Sequence, residues 1–279
     1  MSRLNARRLV SLPSLNSVGV SQTATSSLPV GARKYHALIY KYKAGADNQA
    51  TVEAAITTVR LLLGGKEQWK ISLARLNILN ALDGFAFQTG HIIIPLSRFA
   101  ARTPQGEEAF GWGTANVSSF TVEFDISAAA VAPAITGWGE IEDTVENIGV
   151  IIKRRTFTGY AAAAAGSFQI KDLPRRDAYN RIHIFTVQAS AVKVVADSVE
   201  FFDAPRTVSA MSYSRRALSH PANTYSVIFD ATQQVTDLVP MIRNVPGLGN
   251  VEVQEFRLDV TMDAAATFDV LTETVGQPD

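Results

Sequence analysis

The sequence predicts an all-β protein made of two β-sandwiches in tandem, with short helices confined to loops. Two runs, Phe120-Thr121-Val122-Glu123-Phe124-Asp125-Ile126 and Phe256-Arg257-Leu258-Asp259-Val260-Thr261-Met262-Asp263, alternate apolar and polar residues without a fault. A period of two carried by aromatic and β-branched residues is the pattern of an antiparallel strand with one buried face. An ordered set of such runs also repeats. Leu28-Pro29 followed by Tyr35 returns as Leu173-Pro174 followed by Tyr179. Val59-Arg60-Leu61 matches Val199-Glu200-Phe201, 91–94 matches 225–228, and 120–126 matches 256–262. The offsets are 145, 144, 140, 134 and 136 residues, so the order is kept and the spacing drifts little. A chain of 279 residues is too long for one eight-stranded sandwich, and the repeat makes it two.

From the N-terminus, Arg3, Arg7, Arg8, Arg33, Lys34, Lys41 and Lys43 all precede the first acid, Asp47. The apolar stretch that starts at Leu9-Val10 is broken by Ser11, Pro13, Ser14, Asn16 and Ser17 and has no small-residue cleavage site. It is therefore not read as a signal peptide, and an intracellular product is expected. Strands are expected at 35–42 and 59–63, followed by a tight turn at Gly64-Gly65, where glycine reaches positive φ cheaply. Ser72 is placed to cap a helix with Leu73, Leu76, Leu79 and Leu82 on one stripe. After a strand at 91–94 and the alternating run at 120–126, Pro133, Gly137 and Gly139 interrupt the next stretch. Residues 128–145 are accordingly read as a loop with short helical turns. Further strands are expected at 150–152, 181–187, 192–195, 199–202, 225–229 and 268–272, with a hairpin loop at Ala-rich 161–165. Asp237 heads a second helical stripe of Leu238, Val239, Ile242 and Val245, with Pro240 tolerable in its first turn. From Asn250 onward seven acids are opposed only by Arg257.

Composition excludes several classes of function. Hydrophobic residues are 47% and charged residues 19%, a globular balance, and 26 basic against 26 acidic residues leave no whole-chain footprint for nucleic acid. The absence of cysteine removes disulfides, thiolate catalysis and Cys-based metal sites. No apolar run approaches the roughly 20 residues of a membrane-spanning helix. Gly111-Trp112-Gly113, Gly137-Trp138-Gly139 and Gly247-Leu248-Gly249 each lack the third glycine of a dinucleotide fingerprint. Gly64-Gly65-Lys66 lacks the upstream glycine of a phosphate loop. None of His36, His91, His183 and His220 has a second histidine four residues on, and no G-x-S-x-G elbow occurs. Glu107-Glu108 and the run Glu140, Glu142, Asp143, Glu146 are the paired-carboxylate candidates, and solvated surface is the expected fate of both. Trp112 and Trp138 sit between glycines, where they either stack on a sugar or plug a core edge.

Beyond pattern, FTVEFDISAAAVAP (120–133) resembles the strand and Ala-rich exit that close the first jelly roll in the major capsid protein of corticoviruses, tailless icosahedral bacteriophages with an internal membrane. FQIKDLPRRDAYNRIHI (168–184) resembles the start of the second jelly roll. SLPVGARKYHALIY (27–40), NTYSVIFD (223–230) and FRLDVTMDAAATFDV (256–270) extend the likeness in order along nearly the whole chain. The resemblance implies a double jelly roll of two tandem eight-stranded units. It also implies homotrimers of pseudo-hexagonal outline that tile a virion shell around a lipid bilayer, after accumulating in the host cytoplasm. Partners would be further copies, the internal viral membrane, and minor capsid, vertex and membrane proteins. There would be no enzymatic activity and no sequence-specific nucleic-acid binding. No organic cofactor is required; calcium is associated with capsid stability in this family, with no ligands assignable here. The expected boundaries are a basic arm at 1–27, a first jelly roll at 28–146 and a second at 147–279, with Arg3, Arg7 and Arg8 facing the membrane. A tandem β-sandwich carbohydrate-binding protein or a glycosidase is the alternative reading.

Overall fold

The computed structural model describes residues 6–43, 45–98, 106, 108–232, 237–245 and 249–279. They form two compact units, 1–152 with 277–279, and 153–276.

The first unit runs β1 (Arg8–Ser11), β2 (Thr23–Leu28), β3 (Lys34–Tyr42), α1 (Gln49–Ala55), β4 (Ile56–Leu63), β5 (Lys66–Ser72), α2 (Leu73–Leu82), β6 (His91–Pro95), β7 (Trp112–Gly113), β8 (Phe120–Ile126) and β9 (Ile135–Glu142). One sheet has the order β1-β9-β3-β6, with β7 also on β3, and the other the order β2-β8-β4-β5. Strand β8 buries Phe120, Val122, Phe124 and Ile126 and leaves the residues between them half-exposed, as its alternation predicts. The sheets meet through Tyr35 on Phe120 and Tyr40 on Phe124, edge to face with ring centroids 5.3 and 4.8 Å apart. Ser72 caps α2 by accepting the Arg75 N–H, and Gly64 and Gly65 turn β4 into β5 at φ of 56° and 78°.

The boundary between the units falls inside β10 (Ile151–Ala162). The second unit continues with β11 (Gly166–Ile170), β12 (Ala178–Ile184), β13 (Ala189–Ala196), β14 (Val199–Pro205), α3 (Arg206–Ser214) and β15 (Tyr225–Ile228). It ends with β16 (Ile242–Val245), β17 (Gly249–Glu252), β18 (Phe256–Met262) and β19 (Ala266–Gly276). Its sheets are β10-β19-β12-β15 and β11-β18-β13-β14, with β16 and β17 a separate hairpin. Strand for strand this is the order of the first unit, each with a helix before the strand that closes its first sheet. Both have jelly-roll connectivity. The duplication is genuine, but one pairing in the sequence alignment of the repeat shifts by a strand. The counterpart of β4 is β13, and 199–205 corresponds to β5.

Four local expectations are overturned. The stretch read as a loop at 128–145 contains β9, an eight-residue strand. Its glycines are sites of close approach: a Cβ at Gly137 would lie 2.5 Å from the Tyr40 ring, and one at Gly139 3.0 Å from Leu12. The stripe after Asp237 is not a helix, because Val239 exchanges two backbone hydrogen bonds with Tyr179, at 2.9 and 3.0 Å, and Ile242–Val245 is strand. Residues 8–11 and 23–27 of the segment read as a basic arm outside the sandwich lie in strands paired to β9 and β8. The Ala-rich turn at 161–165 leads from β10 to β11, which belong to different sheets, so it is a crossover rather than a hairpin.

Candidate functional site

The chemistry-bearing side chains gather on the central strand of the same sheet in each unit, β3 and β12. In the first unit the buried Lys34 ammonium sits 2.9 and 3.0 Å from the Glu146 carboxylate oxygens. His36 places Nδ1 2.8 Å from Ser97 Oγ and Nε2 3.7 Å from Glu142. Arg181 Nε in the second unit donates to Asp230 at 3.0 Å. His183 places Nδ1 2.8 Å from Ser226 Oγ and Nε2 3.9 Å from Glu273. The tyrosine of each Pro-to-Tyr stretch also recurs in role: Tyr35 donates to the Pro29 carbonyl at 2.7 Å, and Tyr179 to that of Pro174 at 2.6 Å. Strand register makes these sets. Lys34 lies opposite Glu142 and Arg181 opposite Glu273, so a histidine two positions along reaches the same carboxylate diagonally.

Serine, histidine and glutamate in this order have the elements of a catalytic triad, but the setting removes the chemistry. His36 and His183 have no exposed surface, and Ser97 and Ser226 are buried with them. Substrate cannot reach a nucleophile there. Burial, reinforced by the Arg7 and Lys34 charges, lowers the His36 pKa to about 4 and keeps the ring neutral. A third pair, Ser209 and His220 on and after α3, fails for another reason. His220 Nδ1 accepts the Ser226 N–H at 3.0 Å, so the neutral ring carries its proton on Nε2, 2.8 Å from Ser209 Oγ. The imidazole donates to that serine and cannot act as its base. Burial, followed by the Arg206 charge, takes His220 to about 4 as well.

These groups hold the fold instead. The helices before β6 and β15 close the open side of those strands with side chains: Asn80 donates to the Ile93 carbonyl at 2.8 Å, and Tyr213 OH accepts the Ile228 N–H at 2.9 Å. Sequence reading did not bring the two serine-histidine-glutamate sets together, because the members of each lie 43 to 106 residues apart.

Of the carboxylate candidates, Glu107 lies outside the described residues. The others lie exposed or half-exposed at the surface, as expected, each beside a partner: Glu108 and Glu140 stand 3.7 and 4.0 Å from Arg7, Asp143 pairs with Arg8, and Glu142 and Glu146 face His36 and Lys34. They point at separate cations, and among the described residues no three acidic or histidine side chains converge as a calcium site requires. Arg3 also lies outside the described residues, whereas Arg7 and Arg8 are occupied by these intramolecular pairs. Trp112 is fully buried against Trp69 and Phe120, at 6.4 and 5.1 Å, and is a core plug with no face for a sugar. Trp138 stands half-buried on the outer face of β9. No helix is long and apolar enough to cross a membrane among the described residues.

Residues 9–142 match the family profile of the viral coat protein P2 N-terminal domain, and residues 151–278 that of its C-terminal domain. The chain belongs to the P2 family of viral coat proteins. The family is one of capsid proteins and not of enzymes. No curated protein matches the sequence. The fold is similar to that of the major capsid protein P2 from bacteriophage PM2, at a TM-score of 0.85 and 20% identity over 98% of each chain. It is also similar to the major capsid protein (MCP) of the virus STIV, at 0.62 and 10% identity over 98% of this chain and 97% of that one. The PBCV-1 capsid protein matches at 0.61 and 11% identity over 99% and 95%. This coat protein is therefore a double jelly roll and a component of the virion, and the carbohydrate-binding and glycosidase readings fall away.

Proposed function

We propose that this major capsid protein assembles as a homotrimer whose copies tile an icosahedral shell around an internal lipid membrane. The observation that carries this is the strand-for-strand equivalence of the two units. Three copies supply six similar units, which suits a near-hexagonal tile, and heterologous edges between tiles extend a closed lattice. The protein would collect in the host cytoplasm before assembly, meet minor capsid, vertex and membrane proteins in the shell, and need no organic cofactor. Light scattering at micromolar concentration should give three times 30.2 kDa. A monomer that persists on concentration overturns the trimer.

The basic N-terminus is the segment we assign to the membrane side. Arg3, Arg7 and Arg8 would add about 1 kcal/mol each beside an anionic bilayer when free. The pairing of Arg7 with Glu108 and Glu140, and of Arg8 with Asp143, sets that against an internal competitor. Deleting residues 2–6, which leaves β1 intact, together with R7Q and R8Q, should weaken binding to anionic vesicles, most at low salt, where the attraction is least screened. Equal binding by the truncated and full chains refutes the membrane role.

A further inference from the structure

Strands β1, β2, β6, β14, β15 and β11 pair on one side only within their own units. Such a strand presents a row of unpaired N–H and C=O groups, and proteins normally protect it with charge, proline, a bulge or a covering segment. Five of the six are protected. Asn16 exchanges two backbone hydrogen bonds with Thr25 and covers β2. Asn80 covers β6, and Tyr213 and His220 cover β15. Strand β14 carries Glu200, Asp203 and Pro205, and its pairing with β13 is bulged at Val194/Val195. Strand β1 carries Arg8, with Arg7 just before it.

Strand β11 has none of these devices. Its five residues, Gly166-Ser167-Phe168-Gln169-Ile170, pair with β18 in unbroken register. From Ala161 to Ile170 there is no charge and no proline. Ser167 and Gln169 are exposed, and among the described residues no hydrogen bond closes its outer row. Phe168 anchors the strand at 5.5 Å from Phe268, so the edge is held in place while bare.

We propose that β11 is an assembly edge that pairs antiparallel with β11 of a second copy across a two-fold axis. This rests on the capsid reading above. A second copy is the occupant the strand itself fits. A two-fold antiparallel pair centred on Phe168 sets Ser167 opposite Gln169 of the other copy, twice, and brings no like charges together. The same operation on β14 would set Glu200 of one copy diagonally beside Asp203 of the other, twice.

The cysteine-free chain makes the test clean. Directly opposed residues have Cα atoms about 4.5–5.5 Å apart, inside the disulfide range of about 4.4–6.8 Å. Ser167 to its own copy would be about 8 Å, outside it. On mild oxidation, S167C/Q169C should give disulfide-linked chain pairs on a non-reducing gel, while S167C and Q169C alone should not. S167K/Q169K, which places lysine opposite lysine, should keep its circular dichroism and its trimer yet raise the concentration needed for larger assemblies about tenfold or more. The proposal is overturned if S167C/Q169C assembles normally and stays unlinked, or if S167K/Q169K assembles as the unmodified chain does. Unmodified chains that remain monomeric at every concentration overturn the proposed trimer as well as the pairing.

Discussion

Lowering the pH should loosen the first unit through His36, and the size of the effect follows from its burial. The ring is fully enclosed, its ordinary pKa of 6.5 falls to about 4, and the folded state therefore prefers the neutral form. A histidine whose folded pKa lies below its unfolded one contributes its full stability above pH 6.5. That contribution is lost as the pH falls from 6.5 to about 4, where the loss levels off. The whole step is about 3 kcal/mol, and about 2 kcal/mol of it is gone by pH 5. The groups around the ring are Arg7, Lys34, Ser97 and Glu142, and other groups of the chain also take up protons on acidification. The measurement is therefore a difference between the protein and H36Q, which keeps a polar partner for Ser97 but cannot titrate. All three tryptophans, Trp69, Trp112 and Trp138, lie in the first unit, so fluorescence in urea follows that unit alone. H36Q should be the less stable at pH 7.5, and its disadvantage should shrink by about 2 kcal/mol at pH 5. Parallel pH profiles for the two proteins, or an NMR titration of His36 centred near 6.5, would refute the argument.

Other perturbations have equally direct readouts. G137V should destabilise the first unit by about 1–3 kcal/mol or more in urea unfolding, because the new Cβ would stand 2.5 Å from the buried Tyr40 ring. R181M should cost about 3–5 kcal/mol, since it strands the buried Asp230 carboxylate; D230N together with R181M should recover part of that. W112A should cost about 3–5 kcal/mol in unfolding of the first unit by opening a cavity beside Trp69 and Phe120. A W112A protein as stable as the original would contradict the placement of this ring in the core.

Strands β8 and β18 were legible because each buries one face and wets the other, so the sheet's period of two is written in the residues. The Gly64-Gly65 turn and the Ser72 cap were legible because a few adjacent atoms decide them. The duplication showed through the same alternation and through the recurring Leu-Pro-to-Tyr stretch. Strand β9 was hidden because its glycines answer to Tyr40 and Leu12, which are distant in sequence. The apolar stripe after Asp237 fits a helix locally, and only the Tyr179 backbone settles it as extended chain. The two histidine sets required strand register to carry Ser97 and Glu142 to His36, and Ser226 and Glu273 to His183. Local patterning is set by which side of one strand meets water. A side chain's partner across a sheet depends on where two separate strands align, and that alignment exists only once the sandwich has closed.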